Sequence, residues 1–147
     1  MSRSWYSYSF YTEHRNYGII VLMRTGILKT NGVHLQPHEY QTVKLLLANG
    51  YDVELLPPSA IKGLPTPDII IDGRLWEMKA PLGSSRNTIK HTFQHGKRQA
   101  ENLVIDLRRC KLDPDKALQE IRQNFKLSKR IKRLKVITKD SSILDFS

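Results

Sequence analysis

The sequence predicts an α/β fold in which a mixed central β-sheet is flanked by helices. Segments with helical spacing of apolar residues alternate with short apolar runs of strand length, in the order helix, strand, hairpin, helix, strand, helix, strand. The dipeptide Asp72-Gly73 separates two apolar runs and is typical of a tight β-hairpin turn. Both faces of that hairpin are largely apolar, as expected of strands that are covered on both sides.

The N-terminal segment, residues 1–33, is rich in aromatic and apolar residues, and we expect it to form strands ahead of a core at 34–140. The aromatic side chains of residues 1–17 suit an edge strand, with a base-stacking platform as the alternative. Residues 18–23 and 26–29 are also predicted to be extended.

The first helix is predicted over residues 34–49, with Pro37 at a tolerated early position and Gly50 just beyond its end. Its apolar residues recur at helical spacing and form the inward face: Tyr40, Val43, Leu46 and Leu47. Glu39 shares this face. An acid there is either a partner of the helix dipole or a member of a metal site.

A strand at 51–56 and a loop at 59–65 lead into the hairpin. If Asp72 and Gly73 form the whole turn, Ile69 faces Trp76 on the opposite strand. The side chains of each strand then alternate between the two faces of the sheet.

The same register places Asp68 directly opposite Glu77, with Lys79 on the same face as Glu77. Two acids at that separation repel one another unless a cation offsets their charge. A divalent metal ion removes the repulsion, and ligands that are all oxygen favour Mg²⁺ or Mn²⁺. The alternative is that Glu77 and Lys79 are solvated positions on an edge strand.

The second helix is predicted over residues 86–102, with an N-cap at Ser84 or Ser85. One side of it presents polar residues that suit contacts to phosphates or bases, although helices also expose such residues to solvent without further function. These residues are Arg86, Lys90, Gln94, Lys97 and Arg98.

The last part of the chain is predicted to contain a buried parallel strand at 103–107, a helix from Asp113 to about Lys126 and a strand at 135–139. The basic run at 126–135 is expected to extend an electropositive surface.

The residues of the hairpin resemble a known motif. Pro67-Asp68 followed by Glu77-Met78-Lys79 resembles the PD-(D/E)xK nuclease motif. The surrounding sequence resembles the C-terminal tRNA-nuclease toxin domains of bacterial contact-dependent growth inhibition proteins. This similarity extends through residues 50–57 and 72–81 into the basic segment, and covers roughly residues 35–140.

The resemblance implies a restriction-endonuclease-like core and a metal-dependent phosphodiesterase. Asp68 and Glu77 would bind the metal ion and Lys79 would act in catalysis. Because such folds commonly supply an acid from the helix before the core hairpin, Glu39 is expected to be catalytic as well. Related nucleases often carry a glutamine on the helix after the hairpin, so the resemblance also implies that either Gln94 or Gln99 contacts substrate near the acid pair. The resemblance also implies a tRNA substrate, a cytoplasmic site of action in a target bacterium and a cognate immunity protein.

Composition sets limits on the class of protein. The 147 residues suffice for one domain with its own core, and a single cysteine excludes a disulfide framework. No apolar run is long enough to span a bilayer, so no membrane anchor is expected. The net charge of +10 indicates a polyanionic partner and, for the immunity protein, an acidic one.

We therefore predict a metal-dependent endoribonuclease that cleaves tRNA. A DNA endonuclease of the same fold remains the alternative within this reaction class, because the sequence contains no feature that reads a ribose 2′-hydroxyl. A nucleic-acid-binding module without catalytic activity is the alternative outside it.

Overall fold

The computed structural model describes residues 24–147, together with the backbone of residues 5–7. The strands predicted over the rest of 1–17 and over 18–23 lie outside the described residues. The described strands are β1 (Trp5–Ser7), β2 (Ile27–Lys29), β3 (Val53–Leu55), β4 (Ile69–Ile71), β5 (Arg74–Lys79), β6 (Asn102–Asp106), β7 (Arg133–Ile137) and β8 (Ile143–Phe146). The described helices are α1 (Pro37–Ala48), α2 (Thr88–Gly96) and α3 (Pro114–Leu127).

The described strands form one mixed sheet in which neighbours in sequence are neighbours in space, from β1 to β8. The pairs β2–β3, β5–β6 and β6–β7 are parallel, and the other neighbours are antiparallel. Each parallel pair is joined through a helix, because a parallel connection must cross the sheet. The predicted mixed α/β architecture is confirmed.

The central hairpin has the predicted register, with Ile69 paired to Trp76 and Ile71 paired to Arg74. Asp72 and Gly73 have φ angles of 51° and 71°, as a two-residue turn with positive φ at both central positions requires. The turn residues therefore fix which side chains of β5 share a face.

Two apolar cores lie on opposite faces of the sheet. Val104 belongs to the core under α1, whereas its neighbours Leu103 and Ile105 belong to the core under α2 and α3. Consecutive strand residues point to opposite faces, so β6 is buried on both sides, as predicted. Leu75 is an exception to the predicted cover of the hairpin, because it is 48% exposed.

The first helix begins at Pro37, with Gln36 as its N-cap, rather than at 34. Val43, Leu46 and Leu47 are buried as predicted, but Tyr40 is 44% exposed and Thr42 takes its place. Burial of the Thr42 hydroxyl is compensated because it donates a hydrogen bond to Asp106 at the end of β6.

The second helix ends at Gly96, six residues before the predicted end. Gly96 packs directly on Leu103, and a Cβ at this position would lie 2.7 Å from the Leu103 Cδ2 atom. The chain turns here to enter β6, and Ala100 is buried within the turn. Ala100 continues the helical spacing of apolar residues that begins at Ile89 and Phe93, and this is why the sequence predicts a longer helix than the structure has.

The C-terminal part differs from its prediction in three ways. The strand predicted at 135–139 begins at Arg133, and β8, which was not predicted, pairs with it. Lys135 is buried instead of extending the basic surface, because its Nζ lies 4.1 Å from the Tyr51 ring centroid and donates to Asp145.

Among the described residues, no helix has the length and apolar character needed to cross a membrane.

Candidate functional site

Asp68 is held by the main chain at the start of the hairpin. Its N–H donates to the Trp76 carbonyl at 3.0 Å, and its carbonyl accepts from the Leu56 N–H at 2.9 Å. Its carboxylate Oδ2 accepts from the Met78 N–H at 2.8 Å. These three bonds tie Asp68 to both neighbouring strands and direct its carboxylate toward β5.

Glu77 is 1% exposed and lies in the middle of β5. One carboxylate oxygen, Oε1, accepts a hydrogen bond from the Lys79 Nζ at 2.5 Å. The other, Oε2, is buried and has no hydrogen-bond partner while both acids are ionised, whereas a proton on either acid would let Glu77 and Asp68 share a hydrogen bond. A buried carboxylate oxygen without a donor is costly unless a proton or a cation reaches it.

The surroundings of the two acids shift both pKa values upward. Burial raises the pKa of Glu77 to about 7, and the nearby Asp68 charge adds to this effect while Lys79 opposes it. Burial also raises the pKa of Asp68, against the lowering effect of the Met78 hydrogen bond. The predicted juxtaposition of two mutually repelling carboxyl groups with a lysine is therefore present.

Gln99 is the glutamine that contacts Lys79, the lysine paired with Glu77. Its side-chain Oε1 accepts from the Lys79 Nζ at 2.8 Å, so Lys79 bridges Gln99 and Glu77. Gln99 lies in the turn between α2 and β6 rather than on the helix. A helical projection therefore could not distinguish it from Gln94, which is half-buried on α2.

Glu39 caps its own helix and lies near Asp68. Its carboxylate Oε2 accepts from the Gln36 N–H at 2.8 Å, which completes a capping box at the start of α1. Its charge also contributes to the raised pKa of Asp68. Glu39 is thus near the site, while its carboxylate is engaged with its own helix.

An open cleft of about 360 Å³ lies beside the acid pair. Glu39, Asp68 and Gln99 line it from the core of the protein. The opposite wall is the loop between β3 and β4, including Lys62. The sequence predicts only a connection between β3 and β4. Its length, residues 56–68, is the feature that could have indicated a loop large enough to form one wall of a cleft.

The remaining predicted substrate-binding residues lie along α2 and at its two ends. Arg86 precedes the helix, and Lys90 is exposed on it. Lys97 and Arg98 follow its last turn, where they meet the end of α3 in a second pocket. The structure therefore brings together Asp68 and Glu77 with Lys79 and Gln99. The other predicted substrate-binding residues remain along α2 and at its ends.

The residues present are compatible with a hard divalent cation. Asp68 and Glu77 offer carboxylate oxygens, one of which is buried without a partner. A positive charge beside them would also favour the ionised form of both acids. The described residues contain no group of three or more His, Cys, Asp or Glu placed to hold a metal ion, so the protein would supply two carboxylates without Glu39 in this arrangement.

The chain is similar to known proteins both in sequence and in fold. The sequence profile described as the contact-dependent growth inhibition CdiA C-terminal domain matches residues 65–143, which are 79 of the 147 residues. The fold is similar to a chain of the solved "CdiA-CT/CdiI toxin and immunity complex from Burkholderia pseudomallei". That likeness has a TM-score of 0.60 and 21% sequence identity, and covers 81% of this chain and 97% of the other. No curated protein sequence matches.

Proposed function

Since this chain belongs to the contact-dependent growth inhibition CdiA C-terminal domain family, we propose that it is a toxin domain that cleaves tRNA in the cytoplasm of a target bacterium. The finer assignment is a PD-(D/E)xK nuclease that uses Mg²⁺ or Mn²⁺. The observation that carries it is the buried, unpartnered Oε2 of Glu77 beside Asp68, with Lys79 paired to the same carboxylate.

In this proposal Asp68 and Glu77 hold the cation. When bound, a divalent cation polarises a phosphoryl oxygen and lowers the pKa of a bound water molecule. Asp68 is suited to holding it because its carboxylate is fixed by the Met78 N–H. Glu77 is suited because its free oxygen is shielded from solvent.

Lys79 would position the attacking water molecule and stabilise the charge that develops on the phosphate. Water gives up one proton to solvent as its oxygen bonds to phosphorus, one P–O ester bond breaks, and the leaving oxygen takes up a proton from solvent. Gln99 orients Lys79 through the 2.8 Å hydrogen bond to its ammonium group. The open cleft of about 360 Å³ beside Asp68 would receive part of the phosphodiester strand, and the net charge of +10 would attract it.

The test is incubation of the purified protein with total tRNA and, separately, with plasmid DNA, in Mg²⁺ and then in EDTA. We expect tRNA to be cleaved only with the metal ion. Asp68→Asn and Glu77→Gln should each lower the cleavage rate by at least about a hundredfold, because they remove ligand charge while keeping side-chain shape.

Asp115→Asn and Glu101→Gln are matched controls, since both acids are exposed and make no described side-chain contact to the site. Cleavage that continues undiminished in EDTA would refute the metal role. Cleavage of plasmid DNA alone would replace the tRNA assignment with the DNA endonuclease alternative.

A further inference from the structure

The second pocket, unlike the cleft beside Asp68, is strongly basic and lies where the C-terminal ends of α2 and α3 meet. It has a volume of about 320 Å³. Four of its six lining residues carry a positive charge: Lys97, Arg98, Lys129 and Arg130. All four are exposed, and among the described residues none of them takes part in an ion pair.

Helix dipoles alone do not account for this concentration of charge. The end of each helix carries about half a negative charge, so two helices account for roughly one of the four cations. The rest of the positive charge has no counterpart among the described residues of the pocket. Four cations around one concave site are suited to binding an anion of high charge density.

The pocket is connected to the cleft by the chain itself. Lys97 and Arg98 come two residues and one residue before Gln99, which lines the cleft and contacts Lys79. Consecutive Cα atoms are about 3.8 Å apart, so the Cα of Lys97 lies within about 8 Å of the Cα of Gln99. A nucleotide strand leaving the cleft along this turn would reach the pocket within a few nucleotides.

We propose that the pocket formed by Lys97, Arg98, Lys129 and Arg130 binds backbone phosphates of the nucleic-acid substrate at a distance from the bond that is cleaved. This inference rests on the proposed function for its substrate, and adds the contribution of the segment after α3. The pocket contributes affinity, while Asp68 and Glu77 contribute the chemistry.

The test compares two double variants that each remove two positive charges from the net charge of +10. Lys129→Gln with Arg130→Gln changes the pocket. Lys111→Gln with Lys116→Gln is the matched control, because both residues are exposed and lie near the opposite end of the 14-residue helix α3, about 21 Å away along its axis. Binding of total tRNA is measured in EDTA over a range of salt concentrations, so that cleavage plays no part.

The pocket variant should bind tRNA about tenfold more weakly, and the slope of log affinity against log salt should fall by about 1.5. The control should change affinity by less than about twofold. In cleavage assays the pocket variant should raise KM and leave kcat unchanged. Circular dichroism verifies that both variants are folded.

Equal losses in the two variants would mean that only net charge matters, and would overturn the proposal. Unchanged tRNA binding by the pocket variant, or absence of tRNA binding by the wild type, would overturn it as well. If the pocket variant lost binding only to the cognate immunity protein, the pocket would be a protein-binding site and the proposal would be overturned. A wild type that binds tRNA through the pocket but never cleaves it would refute the proposed activity and leave this inference standing.

Discussion

Glu77 illustrates how the two oxygens of one carboxylate can have different environments. Oε1 is paired with Lys79, whereas Oε2 is buried without a partner. Alternation along β5 predicts that Glu77 and Lys79 share a face, and the register of the hairpin predicts that Asp68 shares it with them. The unpaired oxygen was not predictable, because it depends on which atoms of distant segments fail to reach it.

Glu77→Gln should stabilise the metal-free protein at pH 8 and have a much smaller effect at pH 5. The raised pKa means that the folded state favours the protonated acid, so the ionised carboxylate costs stability as pH rises from 4.5 toward about 7. The full change corresponds to roughly 3 kcal/mol. Urea unfolding in EDTA at both pH values measures it, with Glu101→Gln as control. An equal effect at pH 5 and pH 8 would contradict the pKa shift.

Lys79→Met should leave the protein folded and lower the cleavage rate by about a hundredfold, the scale for losing one preorganised electrostatic contact. The methionine keeps most of the side-chain volume and removes the ammonium that bridges Glu77 and Gln99. Single-turnover cleavage and the melting temperature are the measurements. Lys44→Met, an exposed lysine on α1, is the control. A folded Lys79→Met protein with the wild-type rate would remove Lys79 from the mechanism.

At the scale of elements, the accuracy of prediction followed the range of the interactions involved. The hairpin depends on the local conformations of Asp72 and Gly73, and its register was correct. The end of α2 depends on contact between Gly96 and Leu103 in the next strand, and it was missed. Gln99 was ambiguous for the same reason, since its position follows from that boundary.

The link between α1 and β6 rests on Asp106, which accepts hydrogen bonds from Thr42 and Arg108. Burial alone would raise the pKa of Asp106, but the bonds from Arg108 and Thr42 outweigh it and lower the pKa below the ordinary 3.8. The stabilisation is therefore present above about pH 4 and is lost as pH falls through the lowered value.

Asp106→Asn should accordingly destabilise the protein at pH 6 by about 1.5–3 kcal/mol, the range for a hydrogen bond to a charged group. The difference from wild type should shrink at pH 3. Urea midpoints at both pH values test this, with Asp115→Asn as an exposed control. A difference that is the same at pH 6 and pH 3 would show that Asp106 is not stabilised as an ion.

At the scale of the whole molecule, the net charge of +10 was readable from composition, and so was the expectation of a polyanionic partner. The distribution of that charge was not. Lys135 belongs to the buried face beside Tyr51, whereas Lys129 and Arg130 line an open pocket. The basic run thus divides between structural and exposed roles according to tertiary contacts.

A chain of similar fold has been solved in a toxin and immunity complex. On the proposed toxin function, we expect this chain to bind an acidic immunity protein encoded by the neighbouring gene. Opposite charges should give fast association, with a rate that falls at least about tenfold between about 50 mM and 500 mM salt. Stopped-flow mixing of the two proteins measures the rate. A rate that does not depend on salt would show that charge does not guide the encounter.

The compactness of the hairpin also has a consequence for the order of folding. Asp68, Glu77 and Lys79 lie within one hairpin, and the bond from the Met78 N–H to Asp68 spans only 10 positions. Hairpins form in about 1–10 μs, whereas the parallel pairing of β5 with β6 must wait for the intervening crossover to close. Three members of the site can therefore assemble early in refolding. Gln99, which lies beyond that crossover, joins them only when the sheet is complete.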